Sequence, residues 1–204
     1  MDQTHEAGVK REARQSRTTK ETSISIYCSP DIGADSGPDQ TISTGVPFFD
    51  HMLTALSFHG RLTLSVEAQG DIEVDPHHLV EDTGLVFGDC LADIASQAPT
   101  ERFGHGMVPM DDALGEATVD LGGRPYLVYR AEMPQNYAGT FDLSLLREFF
   151  YALAIRSKAN IHLEARYGLN GHHMAEAMFK ALGLALRAAL VPRTGGGMST
   201  KGVI

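Results

Sequence analysis

Two short segments of the chain carry the same pattern of metal-ligand side chains. His-His-x-x-Glu occurs at residues 77–81 (HHLVE) and again at residues 172–176 (HHMAE), 95 positions later. Residues four apart on a helix share a face, so His77 and Glu81 can act together, as can His172 and Glu176. The adjacent His78 and His173 are turned about 100° away, so each motif can serve two ions on different sides. His51 precedes the first motif by 26 residues, and Glu148 precedes the second by 24. These are eight candidate ligands, enough for two ions with four protein ligands each and open positions for a substrate. Imidazole and carboxylate without thiolate suit manganese, iron or zinc in a reactive site better than a structural zinc. A lone His-His pair is an ordinary surface feature. Two copies at matching places in a repeat are the pattern of a metal site.

Lys180 lies four residues after Glu176, on the stripe that also carries His172, and so stands beside the expected metal. Such a lysine can hold a phosphate as a point charge. Arg102 (ERFG) and Arg124 (GGRPY) sit in turn-like, glycine-rich contexts, and Ser199 and Lys201 lie in the C-terminal STKGVI. Taken singly, each of these has solvation as its default role. His162 falls on an expected strand outside both motifs, which points to a supporting role.

The elements that must position these groups also come in two sets. Ile24, Ile26 and Cys28 alternate with polar neighbours, as in a strand. Residues 47–58 then read as a helix stopped by Gly60, Leu62, Leu64 and Val66 as a strand, and residues 77–97 as a second helix. The later part repeats this order: strands over 116–121 and 126–131, a helix over 142–157, a strand through Ile161, Leu163 and Ala165, and a helix over 172–190. Each histidine motif opens the last helix of its half. The expected fold is α+β, with two repeated halves, each a small mixed sheet with two helices packed on one face. The expected divisions are a flexible basic tail over 1–16, the first half over 17–98, the second over 99–191 and a C-terminal tail over 192–204.

Bulk properties restrict the partners. With 204 residues, 43% hydrophobic and 21% charged, the chain has ordinary globular composition. A formal charge of −9 disfavours nucleic acid and anionic membrane. No apolar run approaches the length of a membrane span, and the basic N-terminal residues lack the apolar stretch of a secretory signal. Cys28 and Cys90 give neither a zinc spacing nor a disulfide framework, which suits a reduced cytosol. From residues alone two readings stay open besides an incidental cluster: a dinuclear metalloenzyme, for instance a phosphate-ester hydrolase, and a metal-storage cage. Free phosphate as product would mark the hydrolase, and metal binding with no need for Lys201 the storage protein.

The segments TGVPFFDHMLTALSFHG, HHLVEDTGLVFG, RFGHGMVPMDDAL, GGRPYLVY, HHMAEAMFKALGLALR and STKGVI resemble the imidazoleglycerol-phosphate dehydratase family, from about Arg17 to the C-terminus. The resemblance implies conversion of D-erythro-imidazole glycerol phosphate to imidazole acetol phosphate and water, in the cytoplasmic synthesis of L-histidine. It implies two Mn2+ ions per chain, helices sandwiched between two sheets, and a homo-oligomer of 24 chains with sites between subunits. One ion would take His51, His78, Glu81 and His173, and the other His77, His172, Glu176 and position 148. Glu21 (ETSI) matches the acid/base glutamate. Arg102, Arg124, Lys180, Ser199 and Lys201 match phosphate-binding positions, and the segment from His51 to His59 matches one that touches substrate. The chain departs from the family where many members carry histidine, at Glu148, and where threonine is common, at Leu79.

Overall fold

The computed structural model describes residues 10–30 and 41–193. It has four helices and two four-stranded sheets, and the elements fall into two sets with one shared topology. In the first half, strands β1 (Ala13–Thr18), β2 (Thr22–Ser29) and β3 (Ile42–Ser43) precede helix α1 (Pro47–Gly60), strand β4 (Thr63–Gly70) and helix α2 (His77–Gln97). In the second half, β5 (Phe103–Met110), β6 (Ala113–Asp120) and β7 (Tyr126–Arg130) precede α3 (Leu145–Ser157), β10 (Asn160–Tyr167) and α4 (Gly171–Ala189). The sheet orders are β1-β2-β4-β3 and β5-β6-β10-β7, and in each the third strand of the half runs parallel to the fourth. A two-stranded hairpin, β8 (Tyr137–Ala138) with β9 (Phe141–Asp142), is inserted between β7 and α3.

The helices lie between the sheets and pair across the halves. α1 packs on α4 and α2 on α3, while α2 also covers β1 and β2, and α4 covers β5 and β6. Neither half closes its own core, which runs continuously from Ile24 and Ile26 through Phe49, Phe149 and Phe179 to Ile161 and Leu163. Phe149 stacks on Phe179 at 5.6 Å and meets Phe49 edge-on at 5.2 Å, so rings from three helices meet at the centre.

The helix boundaries have local causes. Pro47 opens α1 at a position where its missing N–H costs nothing, and Asp50 in the first turn accepts the N–H and hydroxyl of Thr44 at 2.8 and 2.6 Å. Asn170 caps α4 by accepting the His172 N–H at 2.9 Å. α1 ends two residues later than expected: Arg61, at φ 48°, supplies the left-handed turn, and Gly60 is its last helical residue. Lys158, at φ 53°, ends α3 in the same way, 97 positions later. α3 begins at Leu145 rather than at residue 142, because Phe141–Asp142 belong to the hairpin and Asp142 accepts the Ser144 N–H. Residues 13–16, assigned to the N-terminal tail from sequence, form the start of β1 and pair with Ser25 to Cys28 of β2.

Both helix pairs touch through glycine. A methyl added at Gly183 of α4 would come 2.5 Å from the Leu56 carbonyl oxygen and 2.8 Å from the Gly60 nitrogen of α1. A methyl at Gly88 of α2 would come 2.8 Å from the Leu153 carbonyl oxygen and 2.9 Å from the Ser157 nitrogen of α3. The two crossings correspond under the repeat. They make Glu148 of α3 the counterpart of His51 of α1, by the same 97-position interval.

Gly183→Ala is expected to destabilise the protein by about 1–3 kcal/mol, since backbone cannot yield as a side chain can. That loss exceeds the ~1 kcal/mol of helix propensity gained. Denaturant unfolding of the variant checks this, and an unchanged or raised midpoint would refute it.

Candidate metal centre and its surroundings

Because α1 and α4 run in the same direction at their crossing, His51 is brought to the first turns of α4. Its Nε2 lies 3.5 Å from Glu176 Oε2, and His172 Nε2 lies 3.4 Å from the same oxygen. The ligand atoms of His51, His172 and Glu176 all lie within 4.8 Å of one another, and no other such group occurs among the described residues. Two imidazole nitrogens and a carboxylate oxygen at this spacing fit a divalent ion with positions left open. Lys180 Nζ donates to Glu176 Oε1 at 2.8 Å. Burial pushes the Glu176 carboxyl up, but the ammonium of Lys180 and the nearby His51 outweigh it and hold it below the usual glutamate value. Phe48 meets the His172 ring edge-on at 5.2 Å and packs against Phe141 of the hairpin at 5.0 Å, so one side of the cluster is apolar.

The first-half motif is looser. His77 Nε2 lies 3.7 Å from Glu81 Oε2, and both side chains are more than 40% exposed. Glu148, on the helix that packs against α2, pairs with its neighbour Arg147 at 3.0 Å, and no trio with His77 and Glu81 is formed. His51 therefore stands with His172 and Glu176. This crosses the division that the resemblance implies, in which His51 belongs with the other ion.

The second histidine of each motif faces a carboxylate from outside its own helix, Asp71 from the β4–α2 connection and Asp112 from the β5–β6 turn. His78 Nδ1 lies 3.1 Å from Asp71 Oδ2 and 3.9 Å from Glu21 Oε2, and His173 Nδ1 lies 2.6 Å from Asp112 Oδ1. The hydrogen bond to Asp71 raises the His78 pKa, with Glu21 adding its charge, and the bond to Asp112 raises that of His173. Asp112 is pushed down to about 2 by His173 and by backbone N–H groups. Sequence reading missed both Asp71 and Asp112. The DD of RFGHGMVPMDDAL and the acidic run before His77 were the available signals.

Glu21 sits in the β1–β2 turn, where Thr19 Oγ1 accepts the N–H groups of Glu21 and Thr22 at 3.1 and 2.9 Å. Asp82 fastens this hairpin to α2. It takes Arg17 Nε at 3.0 Å and the Thr22 hydroxyl at 2.5 Å, one residue beyond Glu81. Asp82 is nearly buried and was also missed, because a carboxylate after the ligand Glu81 reads as an ordinary helix surface residue.

The basic candidates lie elsewhere. Arg102 precedes β5, and its backbone N–H donates to the Ala189 carbonyl at the end of α4. Its guanidinium forks onto Asp120. Arg124 is exposed in the β6–β7 connection at the same end. Between them and the end of α2 is a cleft of about 520 Å³, lined by Arg102, Lys158 and Arg193 together with Ser96, Gln97 and Thr100. The Arg193 Nη1 is buried there without a hydrogen-bond partner. His172 is at the other end of α4, about 25 Å away at 1.5 Å per residue. Only Lys180 of the described basic candidates lies beside the cluster.

His59, two turns beyond His51, binds the Ala55 carbonyl through Nδ1 at 2.9 Å. His162 is exposed on β10, beside Glu116 and Arg130. Leu79 is fully buried, which explains why an apolar residue is accepted there. Ser199 and Lys201 lie outside the described residues. Cys28 and Cys90 are buried free thiols, and burial raises both, Cys90 to about 12. No described helix is long and apolar enough to cross a membrane.

Comparison with known proteins gives the cluster its context. The family model described as imidazoleglycerol-phosphate dehydratase matches residues 44–186, which include both histidine motifs, His51 and Glu148. The chain belongs to the imidazoleglycerol-phosphate dehydratase family. It is 49% identical over 197 residues to the Lacticaseibacillus casei enzyme, covering 95% of this chain and 100% of the relative. The Listeria innocua enzyme gives the same identity and coverage. The solved Staphylococcus aureus enzyme has a TM-score of 0.79 at 38% identity, covering 89% of this chain and 99% of that one. The Pyrococcus furiosus enzyme has a TM-score of 0.80 at 38% identity, covering 93% and 99%. Imidazoleglycerol-phosphate dehydratases are hydro-lyases of histidine biosynthesis, and membership assigns this chain that class.

Histidines that bind metal must be neutral, and carboxylate contacts favour the protonated form of His78 and His173. If these two histidines are ligands, metal affinity is therefore expected to weaken as the pH falls, because protons compete for both rings. In metal-free protein the sign reverses. The stability these two pairs contribute is present below 6.5 and is lost as the pH rises through their raised values. Elemental analysis after dialysis at stepped pH, with melting curves of the metal-free form, checks both. A metal affinity that does not weaken on acidification would count against these two histidines as ligands.

Proposed function

We propose that this chain dehydrates D-erythro-imidazole glycerol phosphate to imidazole acetol phosphate with two Mn2+ ions per chain, with Glu21 as acid/base, at sites shared between copies. The observation that carries this reading is the separation of the two kinds of binding group. The histidine cluster stands at the start of α4, and Arg102 and the cationic cleft stand at its end. A substrate of one ring, three carbons and a phosphate spans only about 10 Å at ordinary bond lengths. No single chain can place its own His172 and its own Arg102 on one such molecule. A neighbouring copy must present its basic end to the histidine end, which supports the family's 24-subunit homo-oligomer.

The ligands proposed are His51, His77, His78, Glu81, Glu148, His172, His173 and Glu176. Held by them, a divalent ion would bind the substrate imidazole and favour its deprotonated form. Arg102, Arg124, Lys180, Ser199 and Lys201 fix the phosphate, and Arg102 is already oriented by its fork onto Asp120. Glu21 moves the proton, either from the reacting carbon or to the departing hydroxyl. Its turn places it at the His78 face, and its exposed side chain leaves it room to reach both atoms. His59 and the rest of α1 line the approach. The setting is the cytoplasm, and neither nucleic acid nor membrane is a partner.

Metal analysis with an assay on imidazole glycerol phosphate tests the reading. About two manganese per chain and a ketone product without free phosphate are expected, and free phosphate would instead mark a hydrolase. Sharing between copies predicts complementation. His172→Ala and Arg102→Ala should each be inactive, yet mixed assemblies should regain activity at about a quarter of their sites by random pairing. Mixtures as inactive as their parents would overturn it.

Glu21→Gln should keep both ions and lose roughly 10² to 10⁴ in rate. Glu148→Ala should weaken one ion alone, while Glu148→His should be tolerated, since His51 fills the corresponding place. Metal content and turnover measured together check all three, and a fully active Glu148→Ala with two tightly held ions would remove Glu148 from the ligand set.

A further inference from the structure

The duplication relates the two hairpin turns as well as the two motifs. Aligning β2 with β6 and β1 with β5 puts Glu21 of the first turn at the place of Asp112 in the second, 91 positions later. Each carboxylate faces the Nδ1 of the second histidine of its motif, at 3.9 Å for Glu21 with His78 and 2.6 Å for Asp112 with His173. What differs is restraint. The Glu21 side chain is 58% exposed and bonds nothing closer. Asp112 is 28% exposed and uses both oxygens: Oδ1 meets His173, and Oδ2 accepts the backbone N–H of Leu169 and, at 3.0 Å, of Asn170. It thereby ties the β5–β6 turn to the loop that opens α4.

We propose that Asp112 is a positioning residue for the metal site: it accepts the Nδ1–H of His173 and so leaves the Nε2 lone pair for the ion. This inference rests on His173 being a ligand, as proposed above. An imidazole presents a lone pair on only one nitrogen when neutral, and a fixed acceptor at the other nitrogen decides which. Asp112 cannot rotate away, because its second oxygen is engaged by two N–H groups of the loop. Among the described residues two other charges act on that ring: Asp111, whose 71% exposed carboxylate lies 3.6 Å from Nε2 and can give way to an ion or join it, and more weakly Glu176, itself a proposed ligand. The longer, unrestrained Glu21 keeps the mobility a proton carrier needs. The repeat has thus yielded one carboxylate that holds and one that moves.

The test separates this role from mere loop anchoring. In Asp112→Asn one oxygen can still accept from Leu169 and Asn170, so the loop is kept. The amide NH2 then faces Nδ1 and drives the proton to Nε2, the nitrogen the metal needs. Manganese affinity, measured on the assembled enzyme by competition with a chelator, should fall about 10- to 100-fold at one site. At alkaline pH, where His173 is neutral and the ion pair contributes no stability, the melting temperature of the metal-free form should hold, and the 15N shifts of His173 should report the exchanged tautomer. Asp112→Glu should recover part of the affinity. His173→Ala serves as reference. If it loses metal while Asp112→Asn binds manganese as tightly as the parent, the positioning role is overturned and the ligand assignment stands. If His173→Ala also binds unchanged, the ligand assignment falls and this inference with it.

Discussion

Backbone contact between α1 and α4 at Gly183 fixes where His51 stands relative to His172 and Glu176. An ion bridging side chains from two helices tolerates errors of only a few tenths of an ångström, and side-chain packing alone would leave that spacing adjustable. A glycine against a carbonyl removes the adjustable layer. The central rings of Phe49, Phe149 and Phe179 then lock the pair from the core side, and the capped first turn of α4 holds the motif on rigid helix. The mirrored crossing at Gly88 does the same for α2 and α3.

The two halves share this frame but differ in charge. Around Glu176 stand two imidazoles and the Lys180 ammonium, so its carboxylate is stabilised and nearly buried. The counterparts in the first half are Glu81, His77, the acidic Glu148 in place of His51 and Leu85 in place of Lys180. With no lysine between them that corner is more solvated: Glu148 pairs instead with its neighbour Arg147, and His77 and Glu81 stand further apart. Equal backbones with unequal charge give two environments for what began as one.

The motifs and the long helices were legible because their signals are local: histidine at fixed spacing, apolar residues at helical period. The expected helix over 77–97 is α2 itself. β5 was not legible, because its inward positions include Gly104 and Gly106, which the carbonyls of Ala185 and Ala181 on α4 approach too closely for any side chain. A strand made to let a helix in carries no apolar alternation. β1 was missed because most of it is polar and exposed at a sheet edge. Among the site residues, His and Glu announced themselves by type, whereas Asp71, Asp82 and Asp112 act through contacts across 7 to 61 residues that no spacing rule encodes. The grouping of His51 with the second motif was hidden for the same reason, since helix pairing across halves is a property of the packed core.

The distance from the histidine cluster to the guanidinium end of the same chain bears on dosage. If sites are shared between copies as proposed, a polypeptide that keeps its imidazoles at one end of α4 and Arg102 at the other brings only one part of a site to any single encounter. Its output would then depend on how many intact neighbours surround it. One defective copy would spoil a different end on each side, and dilution would silence chains in which every residue is sound.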